Sequence, residues 1–561
     1  MAVLDLQLDS HDGSAAGWTR PADPIQWNQS ARPPNRATAA RNYHAAVSLH
    51  QHGRLREAEQ LYRAVLEVNE SDFDCLHNLG LLHAQEGRFD DAVGLLRAGA
   101  RQDPRSVEVH NNLANVLAIL KRHDEAVAGF RIAITLKPDF AEAHNNLGNS
   151  LTMQGRTDEA IGHYAQALAL RPDYADAHVN LGKILSERGR FGEAVAHFRQ
   201  ALAVHPRSPE MHCRLGEVLR KQGGIAEAAA CYQRALALRP DDAETHFRLA
   251  TMLLEDRKLA AATAGYERAL ALKPDLAEAW LGLGHAFHQA GRYDDALGAF
   301  DRAPNLAEAW LGRARTLGRL KRPAEAVVAY RKALAMGADA ELIQYYLAAL
   351  GAEPTPVAAP KRFVSTIFDR YSDRYDQHLV GTLKYRTPDL LFDATVRLVR
   401  SRDLDILDLG CGTGLLGTRF RPFARTLIGV DISANMLEVA RQRQIYDDLV
   451  CSELTEFMQT QIQEFDLAVA ADVFVYIGDL SRVFRHVHGL LRKGGVFGFS
   501  VEADEAQDFV LRPTLRYVHS AAYLRRLSED HGFVLESMES RVIRQEGGDD
   551  VVGYLAVLRR V

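Results

Sequence analysis

The stretch DLGCGTGLLG, Asp408 to Gly417, sets Gly410, Gly412 and Gly414 at alternate positions behind the apolar run LDILDLG. An apolar run that gives way to glycines and then to LLGTRF reads as a buried strand, a turn and a helix N-terminus, a place where backbone receives a nucleotide. Side chains at the glycine positions would collide with a ligand laid across the turn. The next apolar run, RTLIGVD, ends in Asp431, about 20 residues beyond the glycines, the spacing at which a carboxylate accepts both ribose hydroxyls. The glycines alone leave the ligand open: G-x-G-x-x-G cradles a pyrophosphate, D-x-G-x-G-x-G packs against a ligand without phosphate, and Gly417 lets both be read.

DILDLGCGTGLLG followed by IGVDISANMLEVAR resembles the first two motifs of the class I S-adenosylmethionine-dependent methyltransferases. The resemblance extends over most of residues 362–561. It implies S-adenosylmethionine as cofactor, with its amino-acid end on the turn of Gly410, Cys411, Gly412 and Gly414. Asp408 would sit under the methionine ammonium, Asp431 on the ribose and Ile432 on the adenine. Glu453, where Asp is commoner, would reach the adenine amino group beside Leu454. EFDLAVAADVFVYIGDL corresponds to strand four, with Asp472 either on the cofactor side or a strand cap. LLRKGGVFGFSVE corresponds to strand five, and FVLESMESRVI with DVVGYLAVLRR to a closing hairpin. Tyr375 with Asp376 resembles the YD pair of several small-molecule methyltransferases, and with Tyr371 and Tyr385 it is expected over the cofactor, where an aromatic face favours a sulfonium.

Methyl transfer from a sulfonium needs alignment, exclusion of water and, for some acceptors, a base. His519 and Glu502 are the candidates, since this fold would put both near the acceptor; His519 has the better-suited unperturbed pKa. Strand four lacks the Asn/Asp-Pro-Pro-aromatic signature of the nucleic-acid amino methyltransferases, which points to oxygen, nitrogen or carbon acceptors on small molecules or proteins.

Upstream lies a different architecture. Gly80, Ala114, Gly148, Gly182 and Gly216 follow one another at steps of 34 residues, as do Ala92, Ala126, Ala160, Ala194 and Ala228, and Pro104, Pro138, Pro172, Pro206 and Pro240. Small residues let paired helices approach and prolines stop the second helix, so the period means stacked helical hairpins. The pattern resembles the tetratricopeptide repeat, with nine units between about residues 39 and 340 and a terminal helix, ELIQYYLAAL. The eighth unit is short, with Ala307 only 30 residues after Ala277. The expected order is a disordered leader over 1–38, an all-α superhelical solenoid over 39–350, an extended Pro/Ala spacer over 351–361 and an α/β Rossmann-like domain over 362–561.

Asn78, Asn112, Asn146 and Asn180 stand two residues before the small residue in four consecutive units, with Asn115 and Asn149 adding a second pair. Evenly spaced amides on the groove side suit the backbone of an extended peptide, and they resemble the asparagine ladder of the O-GlcNAc transferases. Asparagines copied by duplication and merely solvated are the other reading. Arg214 and Arg248 continue the row, so the later groove favours anions.

A net charge of -6 and no basic-aromatic cluster argue against nucleic acid. No apolar run suits a membrane span or a signal peptide, so a cytoplasmic protein is expected. Five scattered cysteines without a CxxC pair argue against disulfides and zinc, and no metal is expected. Three readings follow: a methyltransferase whose repeats recruit a protein partner or acceptor, a small-molecule methyltransferase with repeats for assembly, and a scaffold with a degenerate cofactor domain. The intact glycines and aspartates weigh against the last.

Overall fold

The computed structural model describes residues 36–371, 376, 383–399, 401–505, 507–546 and 548–561. The expected leader, apart from its last three residues, and Tyr375 lie outside them. Helices α1 (Arg36–Gln51) to α18 (Pro323–Ala335) form nine hairpins, and α19 (Ala340–Ala349) follows. The repeat residues act as their spacing predicts. A Cβ on Gly148 would stand 2.6 Å from the Tyr164 ring and one on Gly80 2.8 Å from Leu96 Cγ. Second helices such as α8 (Thr157–Leu170) and α10 (Phe191–Val204) end two residues before Pro172 and Pro206. In the short eighth unit α16 (Tyr293–Asp301) has 9 residues where α14 (Leu259–Leu272) has 14.

Helices α20 (Lys361–Tyr371) to α26 (Ala521–Asp530) accompany nine strands. These are β1 (Leu404–Leu409), β2 (Ala424–Asp431), β3 (Asp448–Cys451), β4 (Phe465–Ala470), β5 (Leu491–Ala503), β6 (Phe509–Leu511), β7 (Tyr517–His519), β8 (Phe533–Glu546) and β9 (Asp549–Arg560). The order β3-β2-β1-β4-β5-β7-β6 is parallel from β3 to β7; β9 pairs antiparallel with β5 and β8 closes on β9. All six positions of β1 are buried, as a central parallel strand requires. Its side chains alternate between two cores: Ile406 packs with Leu391, Leu416 and Phe420, and Leu407 and Leu409 pack with Phe457, Phe484 and Leu527. This is the Rossmann-like α/β arrangement, with the reversal of strand order beside β1 that makes a ligand crevice. None of the helices among the described residues is long and apolar enough to cross a membrane.

The chain divides into two compact units, up to Pro240 and from Asp241. The second holds the last repeats together with the sheet. Within it the Pro/Ala segment after α19 is pinned along its length. Ala358 bridges antiparallel to Ile477, the Ala359 N–H donates to Tyr476 O at 2.9 Å, and Val357 O accepts from the Gly478 and Asp479 N–H groups at 2.8 and 3.0 Å. The Tyr517 hydroxyl donates to Pro356 O at 2.9 Å and the Tyr345 hydroxyl, from α19, to Leu515 O at 2.8 Å. Tyr345, Ala348, Ala349, Leu511 and Tyr517 make a small core of their own.

Candidate functional site

At the end of β1 the chain turns through Gly410, Gly412 and Gly414 with φ of +64°, +52° and +89°, a region that L side chains rarely enter. Gly410 is also sterically required, since a Cβ there would lie 2.5 Å from Val473 Cγ2. Around Gly412 no atom stands within 4 Å of the Cβ position, so its outer face is open. The Cys411 N–H donates to Val430 O at 3.0 Å and its thiol is buried, so the side chain belongs to the packing beneath the turn.

Asp431 ends β2 and is 9% exposed. Its Oδ2 accepts from the Gly412 N–H at 2.9 Å and its Oδ1 from the Ser433 N–H at 2.8 Å. Burial raises its pKa, and the two N–H groups act against that rise. Each oxygen keeps a lone pair for a further hydroxyl. Ile432 beside it is half-buried. Asp408 is fully buried, with Oδ2 accepting from the Tyr446 hydroxyl at 2.7 Å. Burial pushes its carboxyl up to about 7, the Tyr446 hydroxyl opposing and Asp431 adding to the effect. The Tyr446 ring occupies the place that a Cβ on Gly417 would take. Packing within the chain therefore accounts for the glycine that left the pattern ambiguous.

Two acidic residues tie the preceding segment onto this turn. Asp369, on α20, accepts from Ser433 Oγ at 2.6 Å and its carbonyl from Asn435 Nδ2 at 3.0 Å. Asp376 accepts from Thr413 Oγ1 at 2.5 Å and pairs with Arg443, whose Nε also donates to Thr413 O. Nothing in the glycine pattern marks Asp369, Thr413, Arg443 or Tyr446. Ser433 had a local signal, as the N-cap of Ala434–Gln442.

Glu453 caps helix α24 (Leu454–Thr460), its Oε2 accepting from the Glu456 N–H at 3.0 Å, and Lys361 Nζ stands 3.9 Å away. Leu454 is buried in the core behind it. Asp472, after β4, has φ +54° and exchanges hydrogen bonds of 2.8 Å with Ser500 through its N–H and Oδ1, while its Oδ2 stands 3.4 Å from both Arg544 and Thr387 Oγ1. That is the strand-cap arrangement, reinforced by a buried cation.

The structure corrects both candidate bases. His519 is fully buried, its Nε2 3.0 Å from Gly478 O, its ring stacked on Tyr523, and burial lowers its pKa to about 4. It is a neutral packing residue, shut away from any acceptor. Glu502 is buried against Arg544, with Arg516 3.6 Å away, so its carboxylate is held in an ion pair. Arg544 is 4% exposed; burial opposes its charge, and the facing carboxylates of Asp472 and Glu502 hold its pKa above the usual value. Removing one partner of such a buried pair costs about 3–5 kcal/mol, which marks a structural role.

In the first unit the ladder asparagines are half-buried and bonded to the preceding repeat. Asn78 Nδ2 donates to the Tyr43 hydroxyl at 3.2 Å, Asn112 Nδ2 to His77 Nε2 at 2.9 Å, Asn146 Nδ2 to Asn115 Oδ1 at 3.0 Å and Asn180 Nδ2 to Asn145 Oδ1 at 3.1 Å. One donor of each amide thus knits neighbouring first helices.

Comparison with known proteins agrees with this geometry. A family described as "Methyltransferase domain" matches residues 407–497, and families described as "Tetratricopeptide repeat" match segments between residues 43 and 339. Among individual relatives, the malonyl-[acyl-carrier protein] O-methyltransferase of Yersinia pestis is 27% identical over 27% of this chain and 55% of its own length. The ubiquinone biosynthesis O-methyltransferase of Coxiella burnetii (strain RSA 493 / Nine Mile phase I) is 28% identical over 17% of this chain and 42% of its own. The chain thus spans about half the length of the relatives it matches. Among solved structures, that of MamA is 24% identical, covering 29% of this chain and 94% of MamA at a TM-score of 0.28. The chain is a tetratricopeptide-repeat array joined to a Rossmann-like methyltransferase domain.

Proposed function

We propose that the C-terminal domain, residues 362–561, transfers a methyl group from S-adenosylmethionine, and that the repeats over 39–350 recruit the protein that is methylated or that carries the acceptor. The observation that carries the cofactor reading is the buried Asp431 carboxylate, hydrogen-bonded to Gly412 N–H beside the open face of that glycine. The residues fit the group: a turn free of side chains, a carboxylate with lone pairs left for two hydroxyls, and Asp408 beneath for an ammonium. The cofactor supplies a methyl on a sulfonium, already activated for displacement. The chain's own part is to bind and orient. Asp369 and Asp376 draw the preceding segment over the turn and so help to exclude water.

Both relatives are named O-methyltransferases, which supports an oxygen acceptor. The pairing of Glu502 and the burial of His519 support an acceptor that is already anionic, since a carboxylate needs no base to take a methyl group. The ladder amides keep their remaining hydrogen-bonding capacity for a peptide backbone, and a cytoplasmic location suits this role. Calorimetric titration with S-adenosylmethionine and its demethylated product tests the cofactor reading, with a nicotinamide dinucleotide as the contrasting ligand. Tritiated methyl transfer into a size-fractionated lysate tests the acceptor: label in the protein fraction supports recruitment, and label confined to small molecules overturns it.

A further inference from the structure

In three successive repeats a histidine of the first helix recurs at 34-residue steps, His144, His178 and His212, and in each its Nε2 contacts a proline carbonyl, of Pro138, Pro172 and Pro206, at 3.2, 2.9 and 3.1 Å. A carbonyl only accepts, so Nε2 carries the hydrogen and Nδ1 presents a lone pair. In the first two repeats a histidine of the second helix donates to that lone pair, His163 to His144 at 3.1 Å and His197 to His178 at 2.9 Å. The third repeat breaks the pattern, because Cys231 stands where the donor histidine should be.

Two consequences are visible. His212 Nδ1 has no hydrogen-bond partner although the residue is only 8% exposed, a condition that proteins ordinarily avoid. The volume vacated by the shorter side chain is part of a cavity of about 400 Å³ between α10 (Phe191–Val204), α11 (Pro209–Lys221) and α12 (Ile225–Leu238), in the range of small-molecule sites. Its walls are apolar, with Leu202, Leu215 and Leu219 among them, and His212 and Cys231 line it as well. At the rim Arg199 pairs with Glu227 at 2.7 Å, while Arg234 makes no ion pair among the described residues and leaves one cation to spare. The Cys231 thiol is 5% exposed, and burial raises its pKa, so it adds no charge.

We propose that this cavity binds a small acid with an apolar body and a hydroxyl group, the hydroxyl donating to His212 Nδ1 and the carboxylate lying toward Arg234. The site is independent of the methyltransferase reading, since it stands on residues of the first compact unit alone. Cys231→His is the decisive variant: it restores the pairing of the two preceding repeats, fills the cavity and does not threaten the fold.

The test is calorimetric titration of the full chain with 4-hydroxyphenylacetate, with phenylacetate as the probe lacking the hydroxyl and 4-methylphenol as the probe lacking the carboxylate. The expected result is saturable binding of 4-hydroxyphenylacetate at millimolar concentration or below, weakened about tenfold or more without the hydroxyl, weaker without the carboxylate, and abolished in Cys231→His, whose melting temperature rises. Three results overturn the proposal: no heat from 4-hydroxyphenylacetate, equal binding of phenylacetate, or undiminished binding in a folded Cys231→His.

Discussion

Tyr345 joins the last helix of the repeat array to the α/β domain, and its removal should destabilise that domain as well as the array's end. The ring is 1% exposed and packs with Tyr517 and Phe363 at centroid distances of 6.3 and 5.2 Å, and its hydroxyl donates to Leu515 O at 2.8 Å. Tyr345→Phe leaves the carbonyl without its donor and should cost about 1–2 kcal/mol. Tyr345→Ala empties an aromatic volume from the core and should cost about 3–5 kcal/mol. Because the joint lies inside the compact unit running from Asp241 to Val561, the loss should appear in the melting of that whole unit. At roughly 2–4 °C per kcal/mol, calorimetry should find the transition lowered by about 3 °C in Tyr345→Phe and by about 10 °C in Tyr345→Ala. A fragment starting just before α19 should melt like the intact unit, and one starting at residue 351 should not. An unchanged transition in Tyr345→Ala would refute the reasoning and restore a free spacer.

Asp408 should make cofactor binding release protons. Its carboxyl is raised to about 7 in the folded chain by burial, so it is about half protonated at pH 7; an ammonium above it favours the charged form, and titrations in buffers of different ionisation enthalpy should report roughly half a proton released at pH 7, more at pH 6 and little at pH 8. The sign for stability follows from the same shift. A carboxyl raised on folding destabilises the folded state progressively as pH rises from about 4 to about 7, by roughly 4 kcal/mol at most, so Asp408→Asn should flatten that part of the stability profile. Replacing Asn112, Asn146 and Asn180 together with Ala should weaken recovery of a protein partner in a pull-down. It should also remove three hydrogen bonds between repeats, worth about 1 kcal/mol each, leaving a folded array with a lower denaturant midpoint.

The periodic elements were legible from the chain because each repeat carries its own constraint. A glycine or alanine that must admit a neighbouring ring, and a proline that must end a helix, recur at a fixed step, and the structure uses them so. The strand, turn and helix around Asp408–Gly417 were legible for the same local reason: three glycines with positive φ have few other uses. What escaped the sequence depends on partners far along the chain. Glu502 looked free because Arg544 lies 42 residues later, and His519 looked reactive because a three-residue strand does not announce its burial. Gly417 looked like a phosphate glycine until Tyr446 was found against it. The Pro/Ala stretch looked like a spacer because hydrogen bonds to Tyr476 and Gly478 cross more than 110 residues of sequence. The asparagine row was read from its period, which says nothing of the neighbour 31 to 35 residues earlier to which each amide is bonded.

Titration of the full chain with S-adenosylmethionine, beside Asp431→Ala, tests the central claim most directly. Stoichiometric binding to the wild type, abolished in a variant that still melts cooperatively, is the predicted result. Undiminished binding by Asp431→Ala, or preference of the wild type for a nicotinamide dinucleotide, would contradict it.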